Sequence, residues 1–493
     1  MLIWLLACRH PVDVPPRPVF PTTAELTAPE RAAFLALLDD VEADMATFGV
    51  PGAQVAVVLH GDRLVTASLG LRGLEDNEPV DDETRFRWAS LSKSVAAAVL
   101  LQLDHEGVLS VDDAPEDWVP TFSLDDAPSP TGIVLSQMLS HTAGLPDFTR
   151  YGCDEFARLG DAFTDHTPGP QMTPPGVVWN YSNTGFTLAG AMAEAATGAD
   201  WIDLVQERIF DPLQLGAVVD LAEVRADDNR ASGWLANADG VPVPVGTSEV
   251  DCVLWLPPAG IWGTATDLGI WMQALLDPDP AWAELEAPHA ETRNTPDTSY
   301  GYGLYVTERN DRVLLGHDGR LGGFGSAMYL VPEEGFGIAI LVNGDAYPGS
   351  TALAGLDRFL GWEPDVEDWT TDPSTWGDYA GSWLDPYSLG PIEVAFTGTG
   401  LELSVPDNGL VATPMTQIAA DHFSFQAEGL TLPMTFWRET PDAAPRWWVY
   451  RYGVGDALSA TARTRGPTGS SPGWPAAAPE PAWVPHPSPS GGP

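Results

Sequence analysis

The hydrophobic pattern near the start of the chain predicts one amphipathic helix followed by a β-hairpin. Between about Pro29 and Phe48, apolar residues recur at helical spacing, at positions 34, 35, 37, 38 and 41. Two runs rich in β-branched residues come next, Ala53–Leu59 and Leu64–Leu69. Because the segment His60–Arg63 between them contains Gly and Asp, we expect these two strands to pair as a hairpin.

A mostly helical stretch with long loops occupies the middle of the chain, from Ser90 to about Leu285. Strand patterns then return, and a helical pattern follows them; these segments are Tyr300–Val306, Arg312–Leu315, Gly325–Val331, Phe336–Val342 and, for the helix, Thr351–Leu360. Because strands lie on both sides of a helical middle, the sequence predicts an α+β fold. Its antiparallel sheet is built from both ends, flanked by helices, and carries an inserted helical lobe.

Composition divides the chain further. Residues 1–24 form a signal-like start and a proline-rich tether, residues 25–362 the α+β domain, and residues 363–376 an acidic linker. Short alternating runs separated by Gly, Pro and Asp predict a small all-β domain over residues 377–465. Residues 466–493 are mostly Pro, Gly, Ala and Ser, a composition typical of a disordered tail.

The charge of the chain narrows the classes of partner. A formal net charge of −46 over 493 residues would repel nucleic acid and anionic membrane surfaces. The same surplus of acidic residues can simply confer solubility in salt, and it gives no information about the fold. No run reaches the roughly 18 to 20 apolar residues of a spanning helix, so membrane contact is expected only through a lipid anchor.

The three cysteines bear on location. Leu5-Leu6-Ala7-Cys8 resembles the lipobox of a bacterial lipoprotein, with Cys8 as the lipidated residue. The apolar stretch before it is short, so an upstream start and a chance match remain open alternatives. With Cys8 acylated, Cys153 and Cys252 are an even pair in an oxidising compartment, and the hypothesis is a disulfide between them. The alternative is two buried free thiols. We expect a cell-envelope lipoprotein or a secreted protein.

The candidate chemistry starts from the only lysine of the chain, Lys93, which lies three residues after Ser90. The apolar run Val95–Leu101 predicts a helix that begins near Ser90, which places both side chains on one face. Burial can make an amine neutral, whereas a guanidinium stays charged, so lysine suits a general base. The alternative is Ser90 as a helix cap with Lys93 on a solvated face.

Two further segments carry polar groups of catalytic type. In Trp179–Gly185, Tyr181 can relay a proton between Ser90 and a leaving group, while Asn183 orients Lys93 or the substrate; the alternative is a turn with a packed tyrosine. In the second segment, Gly316–Arg320, alternation places His317 and Gly319 on one strand face. Gly319 allows close approach, so the amides of Ser90 and Arg320 would bind an oxyanion; the alternative is a hairpin turn.

Together and in this order, these segments resemble the S-x-x-K, Y-x-N and K/H-x-G motifs of the serine β-lactamase and penicillin-binding-protein superfamily. Two linking segments, Leu139–Pro146 and Pro257–Leu268, resemble its HTSGL turn and its P-x-G-G stretch, although Ala259 and Gly263 depart from the latter. The resemblance covers about residues 30 to 361, with the class C branch and its esterases, D-aminopeptidases and carboxypeptidases as the nearest group. It implies structural roles for His141, which would brace its turn, and for Asp267, which would cap a helix.

The departures from the family pattern suggest a substrate class. His317 stands where β-lactamases of the family have lysine, and Asp318 adds a negative charge beside it. We therefore expect His317 to donate a hydrogen bond at the substrate's edge and to serve neutral esters or small amides. A D-amino-acid peptidase or DD-carboxypeptidase acting on cell-wall fragments is the alternative, and an inactive envelope-binding protein is a second one. Neither a metal nor another cofactor is expected, and the partner is a small-molecule substrate.

Overall fold

The computed structural model divides into two compact units, Met1–Asp368 and Trp369–Pro493. It describes residues 26–74, 77–125, 131–147, 156–164, 167–236, 242–245, 251–293, 298–344, 346–363, 372–385, 389–427, 430–438, 440, 443–450 and 453–457. The predicted signal-like start with Cys8, the predicted tail and Cys153 lie outside these residues. Each unit is described by itself below.

The described part of the first unit begins and ends with a helix, and most of its strands lie in two groups on either side of a helical middle. The helices are α1 (Ala28–Phe48), α2 (Ser92–His105), α3 (Pro115–Trp118), α4 (Leu135–Leu139), α5 (Asn183–Thr197), α6 (Trp201–Val205), α7 (Asp211–Leu213), α8 (Leu221–Ala226), α9 (Leu256–Ala259), α10 (Ala265–Leu276) and α11 (Gly349–Leu360). The strands are β1 (Gly52–Leu59), β2 (Arg63–Gly70), β3 (Phe86–Arg87), β4 (Trp234–Ala236), β5 (Pro242–Pro244), β6 (Trp262–Gly263), β7 (Ala290–Glu291), β8 (Thr298–Tyr300), β9 (Tyr305–Arg309), β10 (Arg312–Leu321), β11 (Phe324–Val331) and β12 (Phe336–Val342).

An eight-stranded antiparallel sheet is the centre of this unit, in the order β2-β1-β12-β11-β10-β9-β8-β7. Strands from both ends of the sequence meet where β1 pairs with β12, and β1 and β2 form the predicted hairpin. Helices α1 and α11 pack in one apolar cluster with strand residues, while α2, α5 and α10 contribute to the other. The predicted α+β fold with an inserted helical lobe is confirmed.

Strand β10 differs from its prediction, because it continues through the Gly316–Arg320 segment to Leu321. Residues 315–321 pair with β11 throughout, although two glycines lower the β propensity of the segment. Close packing explains these glycines. A Cβ at position 316 would lie 2.4 Å from the Tyr329 ring, so the sheet itself requires glycine there.

The second unit is a closed antiparallel barrel, as the all-β prediction requires. Its strands are β13 (Gly381–Asp385), β14 (Gly390–Phe396), β15 (Leu401–Val405), β16 (Leu410–Ala419), β17 (His422–Ala427), β18 (Leu430–Arg438), β19 (Pro445–Tyr450) and β20 (Gly453–Ala457). The second unit begins inside the predicted linker, before the first barrel strand. A 3₁₀ helix spans Pro373–Tyr379, and Trp376 donates a hydrogen bond to Gln417 on β16 at 2.7 Å.

Candidate active site

Ser90 lies in a single 3₁₀ turn, Ala89–Leu91, immediately before α2. The preceding residue, Ala89, has a φ of 49°, a left-handed conformation that costs a non-glycine residue about 1 to 3 kcal/mol. Two hydrogen bonds fix Trp88, directly before the turn: its amide donates to Ile261 O at 2.9 Å, and its carbonyl accepts from Ser326 Oγ at 2.7 Å. The backbone around Ser90 is therefore fixed from β11 and from the segment after α9.

Three oxygen atoms lie within hydrogen-bond distance of the Lys93 amine. Its Nζ lies 3.1 Å from Ser90 Oγ, 2.6 Å from Asn183 Oδ1 and 3.1 Å from Pro258 O. The last two oxygens can only accept, so they take two N–H groups of the lysine. A neutral amine then has its lone pair left for the Ser90 hydroxyl proton. This geometry suits a general base, and it also suits the ammonium that forms after proton transfer.

The groups around Lys93 hold its side chain in one position. The side chain is fully buried, and Nζ lies 4.8 Å from the centre of the Tyr181 ring and 5.5 Å from that of Phe186. Burial disfavours the charged amine, whereas the two aromatic faces and the two acceptor oxygens stabilise it. The side chain is thus fixed beside the serine, among contacts that can accommodate the amine and the ammonium.

Tyr181 is the second group at the serine, and its hydroxyl donates to Ser90 Oγ at 2.9 Å. Since the serine oxygen accepts from the tyrosine, its own proton is directed to Lys93. Helix α5 places Tyr181, because the Ser182 side chain caps its start by accepting from Gly185 N at 3.4 Å. The packed-turn alternative explains the burial of Tyr181 but not its contact with Ser90.

His141 braces this arrangement. Its Nδ1 accepts from the Ser182 amide at 3.2 Å, and its ring lies 4.3 Å from the Tyr181 ring. Burial, together with the nearby Lys93 and His317, holds the pKa of His141 well below its usual range. The ring is therefore neutral and fixes the backbone of the Tyr181 loop. Asp267 caps α10 as predicted, with its carboxylate accepting from Thr264 N at 2.8 Å.

Asp147 is a site residue that the sequence analysis missed. Its Oδ1 accepts from the Asn183 amide at 2.8 Å, and its Oδ2 accepts from Asn183 Nδ2 at 3.1 Å. The carboxylate thereby turns the side-chain oxygen of Asn183 towards Lys93. The one signal in the sequence was its position, directly after the turn segment that ends at Pro146.

We expect Asp147→Asn to lower kcat by about 10- to 100-fold, which corresponds to losing a charge-assisted hydrogen bond of about 1.5 to 3 kcal/mol. An amide at position 147 can present an N–H to the Asn183 N–H groups, and the Asn183 oxygen would then leave Lys93. Steady-state kinetics check this. Asp161→Asn is the control, because that carboxylate accepts from Arg158 N in a short helix elsewhere; equal losses in both variants would contradict the assignment.

Gly319 brings β10 against the nucleophile turn. A Cβ at this position would lie 2.8 Å from Trp88 O, 2.9 Å from Ser90 N and 2.2 Å from Ser326 Oγ. The backbone of the strand therefore passes directly beside the Ser90 amide, as an oxyanion site built from Ser90 and Arg320 requires. The Arg320 side chain is exposed, with its guanidinium 5.1 Å from the centre of the Tyr347 ring. Its amide as the second oxyanion donor stays a prediction.

Gly319→Ala is expected to reduce the acylation rate at least tenfold and to cost about 1 to 3 kcal/mol of stability. The added methyl group would separate β10 from the nucleophile turn, because two of its close neighbours are backbone atoms. Stopped-flow acylation and thermal unfolding measure the two effects. In the control Gly337→Ala, the Cβ would meet the flexible Met272 Sδ at 3.1 Å, so activity should persist; retention of activity in both variants would refute the prediction.

His317 is at the site but does not play the role predicted for it. Its Nδ1 lies 2.5 Å from Asp318 O, and its Nε2 lies 3.0 Å from the Tyr300 hydroxyl. The ring is buried, at 2% exposure, with its centre 6.0 Å from that of Tyr181. The expectation of a hydrogen bond from His317 to the substrate's edge is wrong for this arrangement, because protein groups occupy both nitrogens.

Asp318 faces away from His317, as the alternation predicts, and this weakens its expected effect on substrates. Its Oδ1 accepts from the Tyr329 hydroxyl at 2.9 Å, on the side of the sheet where α11 begins at Gly349.

Pro258, whose carbonyl contacts Lys93, is a second site residue that the sequence analysis missed. Its segment was noted, but a backbone carbonyl leaves no side-chain signal in the sequence.

Comparison with known proteins decides the family. The sequence profile of the Beta-lactamase family matches residues 38–360. The chain belongs to the β-lactamase family. Penicillin-binding protein 4 of Amycolatopsis lactamdurans is 30% identical over 60% of this chain and 81% of its own length. A D-aminopeptidase of Cereibacter sphaeroides is 28% identical over 78% of this chain and 74% of its own length.

Solved structures agree with the fold of this β-lactamase-family enzyme. The crystal structure of SurE superposes with a TM-score of 0.69 at 23% identity, over 87% of this chain and 99% of that one. A D-stereospecific amidohydrolase from Streptomyces sp. gives 0.56 at 24% identity, over 67% and 99%. Members of the family are serine hydrolases, and this chain is one of them by family and by its Ser90 site.

Cys252 of this β-lactamase-family enzyme is disulfide-bonded, and the predicted partner, Cys153, lies outside the described residues, so the pairing stays a prediction. Within the described ranges, no cluster of three or more His, Cys, Asp or Glu side chains has metal-binding geometry. No described helix combines the length and apolar character that crossing a membrane requires.

Proposed function

We propose that the enzyme hydrolyses esters and small amides of uncharged or cationic substrates through an acyl-enzyme on Ser90. One observation carries the proposal. Ser90 Oγ lies 3.1 Å from Lys93 Nζ and 2.9 Å from the Tyr181 hydroxyl, so a base and an acid meet at the nucleophile. A binding protein without catalysis would gain nothing from a buried amine in this position.

The reaction follows from these contacts. Lys93 Nζ takes the Ser90 proton while Ser90 Oγ forms a bond to the acyl carbon, and the oxyanion accumulates beside the Ser90 amide. The Tyr181 hydroxyl then gives its proton to the leaving oxygen or nitrogen as the acyl bond to it breaks. The ammonium of Lys93 restores the tyrosine proton. In the second half, water attacks the acyl carbon and gives a proton to Lys93 or Tyr181. The bond between the acyl carbon and Ser90 Oγ then breaks, these groups return a proton to Ser90 Oγ, and the acid leaves.

Charge supports the choice of substrate. A net charge of −46 concentrates cations near the protein and repels carboxylates at low ionic strength. At the site, both nitrogens of the buried His317 ring contact protein groups, Nε2 the Tyr300 hydroxyl and Nδ1 the Asp318 carbonyl. Neutral or cationic acyl donors therefore meet no opposing field, whereas the carboxylate of a β-lactam does.

Amides of an N-terminal D-amino acid are the second candidate substrate. The similarity to a D-aminopeptidase extends over 403 residues and 78% of this chain, which favours this reading over a DD-carboxypeptidase. Such substrates carry a free ammonium group, which the acidic protein attracts. A carboxypeptidase substrate ends in a carboxylate, which the protein repels.

A small substrate panel tests the proposal. Purified enzyme would be assayed with p-nitrophenyl acetate, D-alanine and L-alanine p-nitroanilides, and a chromogenic cephalosporin, and a separate sample would be treated with a fluorophosphonate probe. We expect labelling of Ser90 and turnover of the ester or of the D-anilide. A wild type that prefers the cephalosporin would overturn the substrate argument, and an unlabelled protein would favour the binding-protein alternative.

We also propose that the enzyme acts in the cell envelope or outside the cell. The disulfide at Cys252 supports this, because disulfides persist in oxidising compartments. Peptide mapping without reduction tests the pairing with Cys153. Finding the thiol of Cys252 free in protein purified from the native host would count against this location.

A further inference from the structure

A buried ion pair lies directly before the nucleophile turn, Ala89–Leu91. Arg87, on β3, comes three residues before Ser90, and its Nη2 donates to Oδ1 of Asp251. The two side chains are 2% and 0% exposed. The guanidinium also lies 4.7 Å from the centre of the Trp262 ring, on the neighbouring strand β6. Arg87 therefore connects the segment that leads to the serine with the segment that runs from Asp251 to Trp262.

The segment Asp251–Trp262 runs along the catalytic groups. Its backbone bonds to α5, to the base and to the residues on both sides of Ser90. These contacts are Leu254 O with Thr187 Oγ1 at 2.7 Å, Pro258 O with Lys93 Nζ at 3.1 Å, Ile261 N with Ser92 Oγ at 3.2 Å and Ile261 O with the Trp88 amide at 2.9 Å. A shift of this segment would therefore move the partners of the base and of the nucleophile turn together.

Arg87 is joined to both ends of this segment. At the C-terminal end, Trp262 pairs with the backbone of Arg87 across β3 and β6. At the N-terminal end, the Asp251 carbonyl accepts from Arg225 Nη2 at 2.9 Å, and the next residue, Cys252, is disulfide-bonded. The carboxylate of Asp251 returns to the Arg87 side chain. The ion pair thus closes the segment into a loop around the start of α2.

Position, more than stability, is what a buried ion pair provides here. The cost of taking two charges out of water offsets much of their attraction, so the net stabilisation is small. The pair does fix the distance and direction between its two groups, whereas apolar contacts are non-directional. The nucleophile turn needs such fixing, because Ala89 has a φ of 49°, a conformation that persists only where the surrounding structure holds it.

We propose that Arg87 and Asp251 are positioning residues for catalysis, and that their ion pair keeps the Pro258 carbonyl and the nucleophile turn in place beside Lys93. The inference rests on the proposed function, in which Ser90 is acylated with Lys93 as the base. Both side chains are buried, so they act through the backbone of the segment. Loss of the pair should slow the chemical step in each folded molecule, because a misplacement of about 1 Å can cost on the order of a hundredfold in rate.

The test compares two double variants, Arg87→Met with Asp251→Leu and Arg309→Met with Asp357→Leu. The second pair is a matched control, because Arg309 Nη2 lies 2.9 Å from Asp357 Oδ2, with side-chain exposures of 11% and 12%. Its guanidinium likewise lies near an indole, 5.9 Å from the centre of the Trp362 ring. Asp357 is on α11, which packs in the other apolar cluster. Replacement of a buried pair by apolar side chains is often neutral for stability, so both double variants should fold.

Two measurements separate position from stability. Titration with the fluorophosphonate probe counts the reactive Ser90 sites, and stopped-flow kinetics with p-nitrophenyl acetate gives the acylation rate per site. For Arg87→Met with Asp251→Leu, we expect a rate per site about tenfold or more below that of the wild type, and a thermal midpoint close to that of the wild type. The control double variant should keep the wild-type rate per site.

A loss confined to the number of sites, with the rate per site unchanged, would assign the pair to stability and overturn the inference. Failure of Arg87→Met with Asp251→Leu to fold would do the same, and so would equal slowing in the control. Absence of ester turnover and of Ser90 labelling in the wild type would be a failure of the proposed function instead.

Discussion

Ser90→Ala is expected to reduce turnover of every substrate by at least about a thousandfold, the scale seen when a serine hydrolase loses its nucleophile. The change removes the oxygen to which Lys93 and Tyr181 are both bonded, and nothing in the described part of the site offers another hydroxyl in that position. Because the rest of the nucleophile turn is held by backbone atoms and by Ser326, the fold should persist.

Mass spectrometry after fluorophosphonate treatment, together with assays on the panel, measures this outcome. The matched control is Ser94→Ala, one turn further along α2. The Ser94 hydroxyl donates to Leu91 O and accepts from Trp271 Nε1, so its loss should cost about 1 kcal/mol of stability and leave labelling intact. Substantial turnover by Ser90→Ala would show that another residue is the nucleophile.

Lys93→Arg should be nearly as damaging, with a loss of about 100- to 10,000-fold in the acylation rate, the usual contribution of a general base. Arginine keeps the positive charge but cannot accept the Ser90 proton. Its larger head group also meets a fully buried position between the rings of Tyr181 and Phe186.

Single-turnover kinetics with p-nitrophenyl acetate measure the loss, and chemical rescue separates base chemistry from packing. Lys93→Ala leaves space for methylamine, which should restore part of the rate with a dependence on its unprotonated fraction, whereas Lys93→Arg should not respond. An arginine variant that keeps more than about a tenth of the rate, a change below about 1.4 kcal/mol, would exclude Lys93 as the base.

The sequence was sufficient to predict those features that depend on the periodicity of a single helix or strand. The spacing of Ser90 and Lys93 and the apolar runs after them were enough to place both side chains together, because a helix repeats every 3.6 residues. Alternation likewise predicted which face of β10 carries His317 and which carries Asp318, although the strand proved longer than its apolar run.

What the sequence could not provide depends on contacts between distant segments. The carbonyl of Pro258 is a partner of Lys93 at a sequence separation of 165 residues, so no local pattern indicates the contact. Tyr300 reads as an ordinary core residue at the start of a strand, and its bond to His317 is visible only once the strands are ordered in the sheet. Asp147 acts through Asn183, 36 residues later, so no local pattern indicates it.

The nucleophile turn lies between a buried arginine and the single lysine, which makes the enzyme simple to monitor by proteolysis. Trypsin cuts after Arg87 and after Lys93 in the unfolded chain, and so releases Trp88–Lys93 as the one fragment of the digest that ends in lysine. Any acyl group left on Ser90 adds its mass to this short peptide. The mass increase of this peptide can therefore identify the acyl group of an unknown substrate in a mixture, without a chromogenic label.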